Sequence, residues 1–220
     1  MHWHITMTGD AAVTVSFPAR IDADVSTRVV AVADAVRAAG YPGVRDVVPT
    51  YHAVTVYMDP LQTDLGRLWA GLEAAAAAPL DATAASRNIV VPVVYGGDGG
   101  PDLCAVARFA GVSPERVIEL HTGTCYRVYM LGFLAGFPYM GAVDSRIAIP
   151  RRHTPRTGVA AGSVGIAGEQ TGVYPASAPG GWHVIGRATV EPFDPNREPP
   201  CPWQPGDLVR FESVREVGGP

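Results

Sequence analysis

LGFLAGFPYMGAVDSRIAIPRRHTPRTGVAAGSVGIAGEQTGVYPASAPGGWHVIGR, residues Leu131–Arg187, is the stretch whose reading decides the fold. Of its 57 residues, 11 are Gly and five are Pro, yet a flexible linker would be polar and repetitive. Here the glycines alternate with Phe133, Phe137, Tyr139, Val159, Val164, Ile166, Val173, Tyr174, Trp182, Val184 and Ile185. Short apolar pairs separated by turn dipeptides predict short β-strands and tight turns. Pro179-Gly180 fits the central positions of a type II turn. Phe137-Pro138 and Tyr174-Pro175 demand extended backbone before each Pro. Arg151, Arg152, Arg156, Ser163, Glu169, Gln170 and His183 stand on this stiffened frame, which marks it as the working surface.

Upstream the pattern is different. Val13, Val15 and Phe17 alternate with Thr14 and Ser16 as in a half-buried strand. Val25, Val29, Val32 and Val36 fall on one helix face, and Gly40 stops the helix. Val44–Val48 and Ala53–Met58 predict two strands, and Leu61, Leu65, Leu68, Trp69 and Leu72 a second helix. The order β-α-β-β-α indicates a small α+β layer of ferredoxin-like kind. Its fourth strand is open: Asn88–Val94, or a segment elsewhere. The small polar run Pro79–Arg87 separates this layer, residues 1–85, from a mainly β unit over residues 86–220. In the second unit Asp102 stands where it would cap a short helix over Leu103–Ala110. Ser113-Pro114-Glu115 starts another helix, Thr124–Leu131 leads into the central stretch as a strand, and Leu208–Phe211 is the last strand. Thr189–Phe193 is a further candidate strand. A closed barrel with two short helices accommodates these elements.

Composition bounds the function. The 220 residues are 47% hydrophobic and 17% charged, with net charge −4, which fits a globular protein and argues against a general nucleic-acid binder. No apolar run approaches a membrane span. The first residues, MHWHITMTGD, lack the basic and apolar regions of a secretory leader, and Cys104, Cys125 and Cys201 have no pairing pattern, so a reducing cytoplasm is expected. All 17 basic residues are Arg. A chain without Lys carries no biotin, forms no Schiff base and supplies no P-loop lysine.

Several residues invite a chemical reading. Arg151, Arg152 and Arg156 have no acid among them and suit a carboxylate or phosphate, with Arg156 the first choice. Arg156→Ala is expected to abolish activity and leave the melting temperature nearly unchanged. Ser163 lies in AGSVG, which imitates a nucleophile elbow, but a Gly-rich β pattern follows where a helix is required. Gln170 offers an orienting amide on a hairpin, and Tyr139 and Tyr174 offer phenols. His121 sits at a helix end, where an imidazolium suits the dipole, with a catalytic role as the alternative. His2 and His4 find no third ligand, and no metal is expected.

GFLAGFPYMG, TPRTGVAAGSVGIAGEQTGVYP, APGGWHVIGR, PGVRDVVPTY and YGGDGGPDL together resemble the B subunit of the bacterial ATP-hydrolysing 5-oxoprolinases. That family is also called the kinase-A-inhibitor or allophanate hydrolase subunit 1 family. Ala135 and Ala178 stand where it usually has Pro and Ser. The resemblance implies a ferredoxin-like domain followed by a cyclophilin-like barrel. It also implies a heteromer that opens 5-oxoproline to glutamate with ATP, alongside a biotin-dependent-carboxyltransferase-like C subunit and a separate A subunit. ATP belongs to the complex, and the isolated chain is expected to be inactive. Arg156, Gln170 and Tyr174 are the expected catalytic group; Phe137, Tyr139, Ser163, Trp182 and His121 are the expected substrate or partner contacts. The alternatives are a regulator that inhibits a sensor histidine kinase and a carboxyltransferase component of urea or allophanate metabolism.

Overall fold

The computed structural model describes residues 1–80 and 86–215. Two compact units divide the chain, Met1–Ala85 and Ser86–Pro220. The linker expected over Pro79–Arg87 includes residues 81–85, which lie outside the described residues.

The first unit contains β1 (His4–Met7), β2 (Ala12–Ser16), α1 (Ala23–Ala39), β3 (Val44–Pro49), β4 (Ala53–Met58) and α2 (Leu65–Ala77). The valines that predict α1 are fully or almost fully buried. Asp22 caps its N-terminus by accepting the amides of Asp24 and Val25, and Gly40 ends it in the left-handed conformation at φ 56°. The sheet order is β1-β2-β4-β3, antiparallel throughout. Its fourth position is therefore filled from the N-terminus, by β1, and Asn88–Val94 belongs to the other unit. Strand β1 is mostly exposed, so no apolar alternation announces it; backbone pairing to β2 is what orders it. The second helix begins at Leu65, one turn later than its apolar pattern suggests. Asp64 caps it and Leu61 is left 95% exposed.

The second unit runs β5 (Asn88–Tyr95), α3 (Leu103–Ala110), α4 (Pro114–Thr122), β6 (Cys125–Leu131), β7 (Pro138–Gly141), β8 (Arg156–Val159), β9 (Ser163–Ala167), β10 (Gln170–Val173), β11 (Ala178–Gly180), β12 (His183–Ala188) and β13 (Leu208–Ser213). Seven strands close a barrel in the order β10-β7-β6-β13-β5-β12-β9, with β9 pairing back to β10. Among these strands β5 and β13 form the one parallel pair; closure leaves the barrel no open edge. Its core is built from Val91, Val93, Val128, Met140, Val164, Ile166, Val173, Ile185 and Phe211, and α3 and α4 add Val106, Val117 and Leu120.

Two local expectations fail here. Pro179-Gly180 forms no type II turn, because Ala178–Gly180 pairs with β8 as a two-stranded ribbon and Gly180 keeps negative φ. Thr189–Phe193 is not a strand; β12 stops at Ala188, and the Thr189 amide turns to the Pro92 carbonyl at 3.0 Å. At Ala178–Gly180 pairing with a distant segment overrides local propensity.

Candidate functional site

The loop between β5 and α3 delivers an acid to the arginine segment. Gly96 and Gly97 take positive φ, and Gly100 packs so tightly on β12 that a Cβ there would lie 2.2 Å from the Ile185 carbonyl oxygen. This close approach pins Asp102 to β12. The Asp102 amide donates to the Val184 carbonyl at 2.9 Å, and the Val184 amide donates to Asp102 Oδ2 at 2.8 Å. Arg156 then clamps the same carboxylate through Nη1 to Oδ2 at 2.6 Å and Nη2 to Oδ1 at 2.8 Å, while Arg152 Nη1 reaches Oδ1 at 3.0 Å. Four donors occupy the two oxygens. Burial pushes the Asp102 carboxyl up, but the Arg156 hydrogen bonds, the Val184 amide and the two guanidinium charges outweigh it and hold it below 3.8.

Two sequence expectations change here. Asp102 starts α3 but makes no side-chain cap, its carboxylate being committed to the arginines. Arg156 is not an open anion receptor: it is bound bidentate to a carboxylate 54 residues upstream. The free guanidinium of the trio is Arg151. It is exposed, and no carboxylate among the described residues lies within ion-pair distance of it.

Beside Arg151 stands an aromatic wall. Phe137, Tyr174 and Trp182 are nearly buried and meet edge to face, with Phe137 5.2 Å from Tyr174 and 5.3 Å from Trp182 between centroids. Tyr139 adds a fourth ring, 4.9 Å from Phe137. Gly180 makes room for the Tyr174 hydroxyl, which would lie 2.4 Å from any Cβ placed there. Phe133 completes the wall from outside: it is 59% exposed and sits at φ 65°, a conformation costing a non-Gly residue roughly 1 kcal/mol. Burial raises the Tyr139 and Tyr174 phenols, and the Arg151 charge offsets part of that rise in both. His183 donates Nε2–H to the Pro150 carbonyl at 3.1 Å, which holds the loop that carries Arg151. The face thus combines a free cation, two neutral phenols and an exposed aromatic edge.

The profile of the family described as "Carboxyltransferase domain, subdomain C and D" matches residues 3–203. The chain belongs to this family. It is 38% identical to the 5-oxoprolinase B subunit of Bacillus subtilis, over 98% of this chain and 95% of that protein. It is 45% identical to the protein of the same name from Haemophilus influenzae, over 76% of this chain and 78% of that one. The crystal structure of TTHA0988 superposes with TM-score 0.85 at 37% identity, covering 95% of this chain but only 41% of that longer chain. The conserved uncharacterized protein PH0987 from Pyrococcus horikoshii matches at 41% identity and TM-score 0.58, over 97% of this chain and 98% of that one.

Within this carboxyltransferase-family chain, the residues singled out from sequence separate into four places. Phe137, Tyr139, Tyr174 and Trp182 come together in the aromatic wall, and Arg156 lies within electrostatic range of Tyr174. Ser163 begins β9 at 4% exposure; its carbonyl accepts the Tyr174 amide at 2.9 Å, and no helix follows, so the elbow geometry is absent. Gln170 opens β10 opposite Ala167, across the hairpin expected from sequence.

His121 is elsewhere altogether. It is 0% exposed inside the barrel, stacked 4.6 Å from Phe211. Because the Thr171 hydroxyl donates to the Gly165 carbonyl at 3.0 Å, it accepts from His121 Nε2–H, also at 3.0 Å. Nδ1 is then the acceptor for the Tyr95 hydroxyl at 2.7 Å. Burial drives the His121 pKa down to about 3, so the ring is neutral, which removes the imidazolium expected to balance the α4 dipole. Sequence reasoning read Asp102 as a cap and passed over Phe133 as a special position. The signal for Asp102 was present in YGGDGGPDL, an acid in a loop whose glycines permit close approach. No local signal marks φ at Phe133. No group of three His, Cys, Asp or Glu suited to a metal occurs among the described residues, and no helix among them is long and apolar enough to cross a membrane.

Proposed function

We propose that this chain is the B subunit of a 5-oxoprolinase, acting in the cytoplasm within a complex that hydrolyses 5-oxo-L-proline to L-glutamate with ATP. The observation that carries the reading is 38% identity along nearly the whole length of both this chain and the B. subtilis 5-oxoprolinase B subunit. The partners are a biotin-dependent-carboxyltransferase-like C subunit and a separate A subunit, and ATP is used by the complex. In this reading the first unit is a ferredoxin-like variant with its fourth strand taken from the N-terminus, and the barrel is cyclophilin-like.

The working face is the aromatic wall with Arg151. Among the described residues Arg151 has no carboxylate competitor, and it offers its guanidinium to the substrate carboxylate. Tyr174 and Tyr139 act toward the lactam as neutral hydroxyls, with Gln170 contributing an amide. Phe133 and Trp182 cover the ring or receive the C subunit. Arg156 acts behind this face, holding Asp102 and with it the segment that presents Arg151. The test is glutamate formation from 5-oxoproline by the purified chain alone and with the A and C partners plus ATP. Activity is expected only from the reconstituted mixture. Full lactam hydrolysis by the single chain, or no 5-oxoproline-dependent ATP consumption by the mixture, overturns the proposal.

A further inference from the structure

A recess apart from the aromatic wall lies where β5 passes between β12 and β13. It is an open recess of about 780 Å³, within the size range of small-molecule sites. Pro92, Val94 and Val214 supply apolar lining, and Arg187 and Arg215 also face it. Neither arginine has a carboxylate within ion-pair distance among the described residues. Asp98 is the one acid in the lining among the described residues, so their charge there is net positive.

The recess is built on paired backbone. Arg187 is in register with Val94 across the β12–β5 ladder, and the Val214 amide donates to the Val93 carbonyl at 2.9 Å, which fixes the chain just before Arg215. The Gly96 amide donates to the Ile185 carbonyl at 3.0 Å, and Gly99 lies so near the Arg187 stem that a Cβ there would stand 3.2 Å from Arg187 Cβ. Tyr95 forms one wall and is locked by its hydrogen bond to the buried His121. That phenol donates a hydrogen bond to Nδ1, keeps its proton and carries no charge to repel an anion.

Arg187 and Arg215 stand on opposite sides of β5. Two strand spacings separate their backbones by about 10 Å. Side chains that reach into one recess from that separation bracket a group larger and more highly charged than a single carboxylate. We propose that this recess binds an organic phosphate of nucleoside-diphosphate size, its diphosphate between Arg187 and Arg215 and its heterocycle against Pro92, Val94 and Val214. Asp98 is then available to a sugar hydroxyl. The site does not depend on the activity proposed above, and the whole chain without partners is enough to test it.

Isothermal titration of the chain at low salt with ADP, pyrophosphate and adenosine is the experiment. ADP is expected to bind one to one, and pyrophosphate and adenosine each at least ten-fold more weakly. Arg187→Gln and Arg215→Gln should each weaken ADP binding by about ten-fold or more, the usual cost of losing a charge-assisted hydrogen bond. Thr189→Trp, an exposed position in the lining, should block the recess while the thermal melt stays that of the parent. No saturable ADP binding, or equal binding by the Arg187→Gln, Arg215→Gln double variant, overturns the assignment.

Discussion

Arg151 and Arg156 lie five residues apart on one Pro-bounded segment and have different fates. Arg156 gives two hydrogen bonds to a nearly buried carboxylate, whereas Arg151 meets solvent beside two phenols. The same side chain is a structural clamp in one place and a free receptor in the other. What decides is whether a loop from far upstream brings an acid within reach. A guanidinium already matched to a carboxylate has little left to offer a substrate; an unmatched one has its full fork of donors.

The largest expected effect tests the clamp. Arg156→Ala leaves Asp102 buried with Arg152 as its remaining guanidinium, and should cost about 3 kcal/mol in a urea titration. This reverses the expectation that the substitution spares the melting temperature. If Arg156→Ala proves no more destabilising than Arg151→Ala, the distinction between the two arginines fails.

Next comes the acid limb of stability. His121 is held neutral in the fold, with a pKa lowered from 6.5 to about 3. Its contribution is complete above 6.5 and is lost as pH falls from there toward 3, because the unfolded chain takes up a proton that the folded one refuses. The slope is about 1.4 kcal/mol per pH unit. Denaturant midpoints between pH 6.5 and 5 should fall in the parent and flatten in His121→Gln. Asp102 acts in a lower window. Its folded pKa is depressed, so its contribution is present above 3.8 and is lost as pH drops below that value. Asp102→Asn should remove that second limb only, and a parent curve level from pH 7 to 4 would contradict the buried neutral imidazole.

Smaller effects sharpen the contrast from the exposed side. Phe133→Gly relieves a positive φ and should raise stability by up to about 1 kcal/mol, offset in part by lost ring contacts with Phe137 and Tyr174. The same variant should weaken assembly with the C partner, measured by analytical ultracentrifugation. Unchanged assembly would remove Phe133 from the partner surface. Arg151→Ala should move stability by no more than about 0.5 kcal/mol and lower the reconstituted activity at least ten-fold. Activity retained in full would shift the substrate contact to another cation.

Much of the fold is legible where the signal is periodic. Val25, Val29, Val32 and Val36 announce α1 because a helix repeats its buried face within a few residues. Ser113-Pro114 announces α4 because capping is equally local. The site is legible only as a set of residue types. Arg151, Tyr139, Tyr174 and Trp182 share a stretch stiffened by Gly and Pro, and these four side chains do come together. His121 shows the limit. Its position beside Gly123 describes a helix end correctly, but not that the end points into a closed barrel between Phe211 and Tyr126.

Sequence by itself determined the chemistry this chain can bring. It has arginine without lysine, aromatic residues set among glycines, two kinds of periodicity in two halves, and strings that mark its family. Tertiary structure alone decided which arginines are spent on Asp102, that β1 completes the first sheet, and that Pro179-Gly180 pairs with β8 and makes no turn. The reason is range: propensity, capping and amphipathic repeat act over a few residues. Ion pairing and strand closure join segments dozens of residues apart, where only the folded backbone sets the distance.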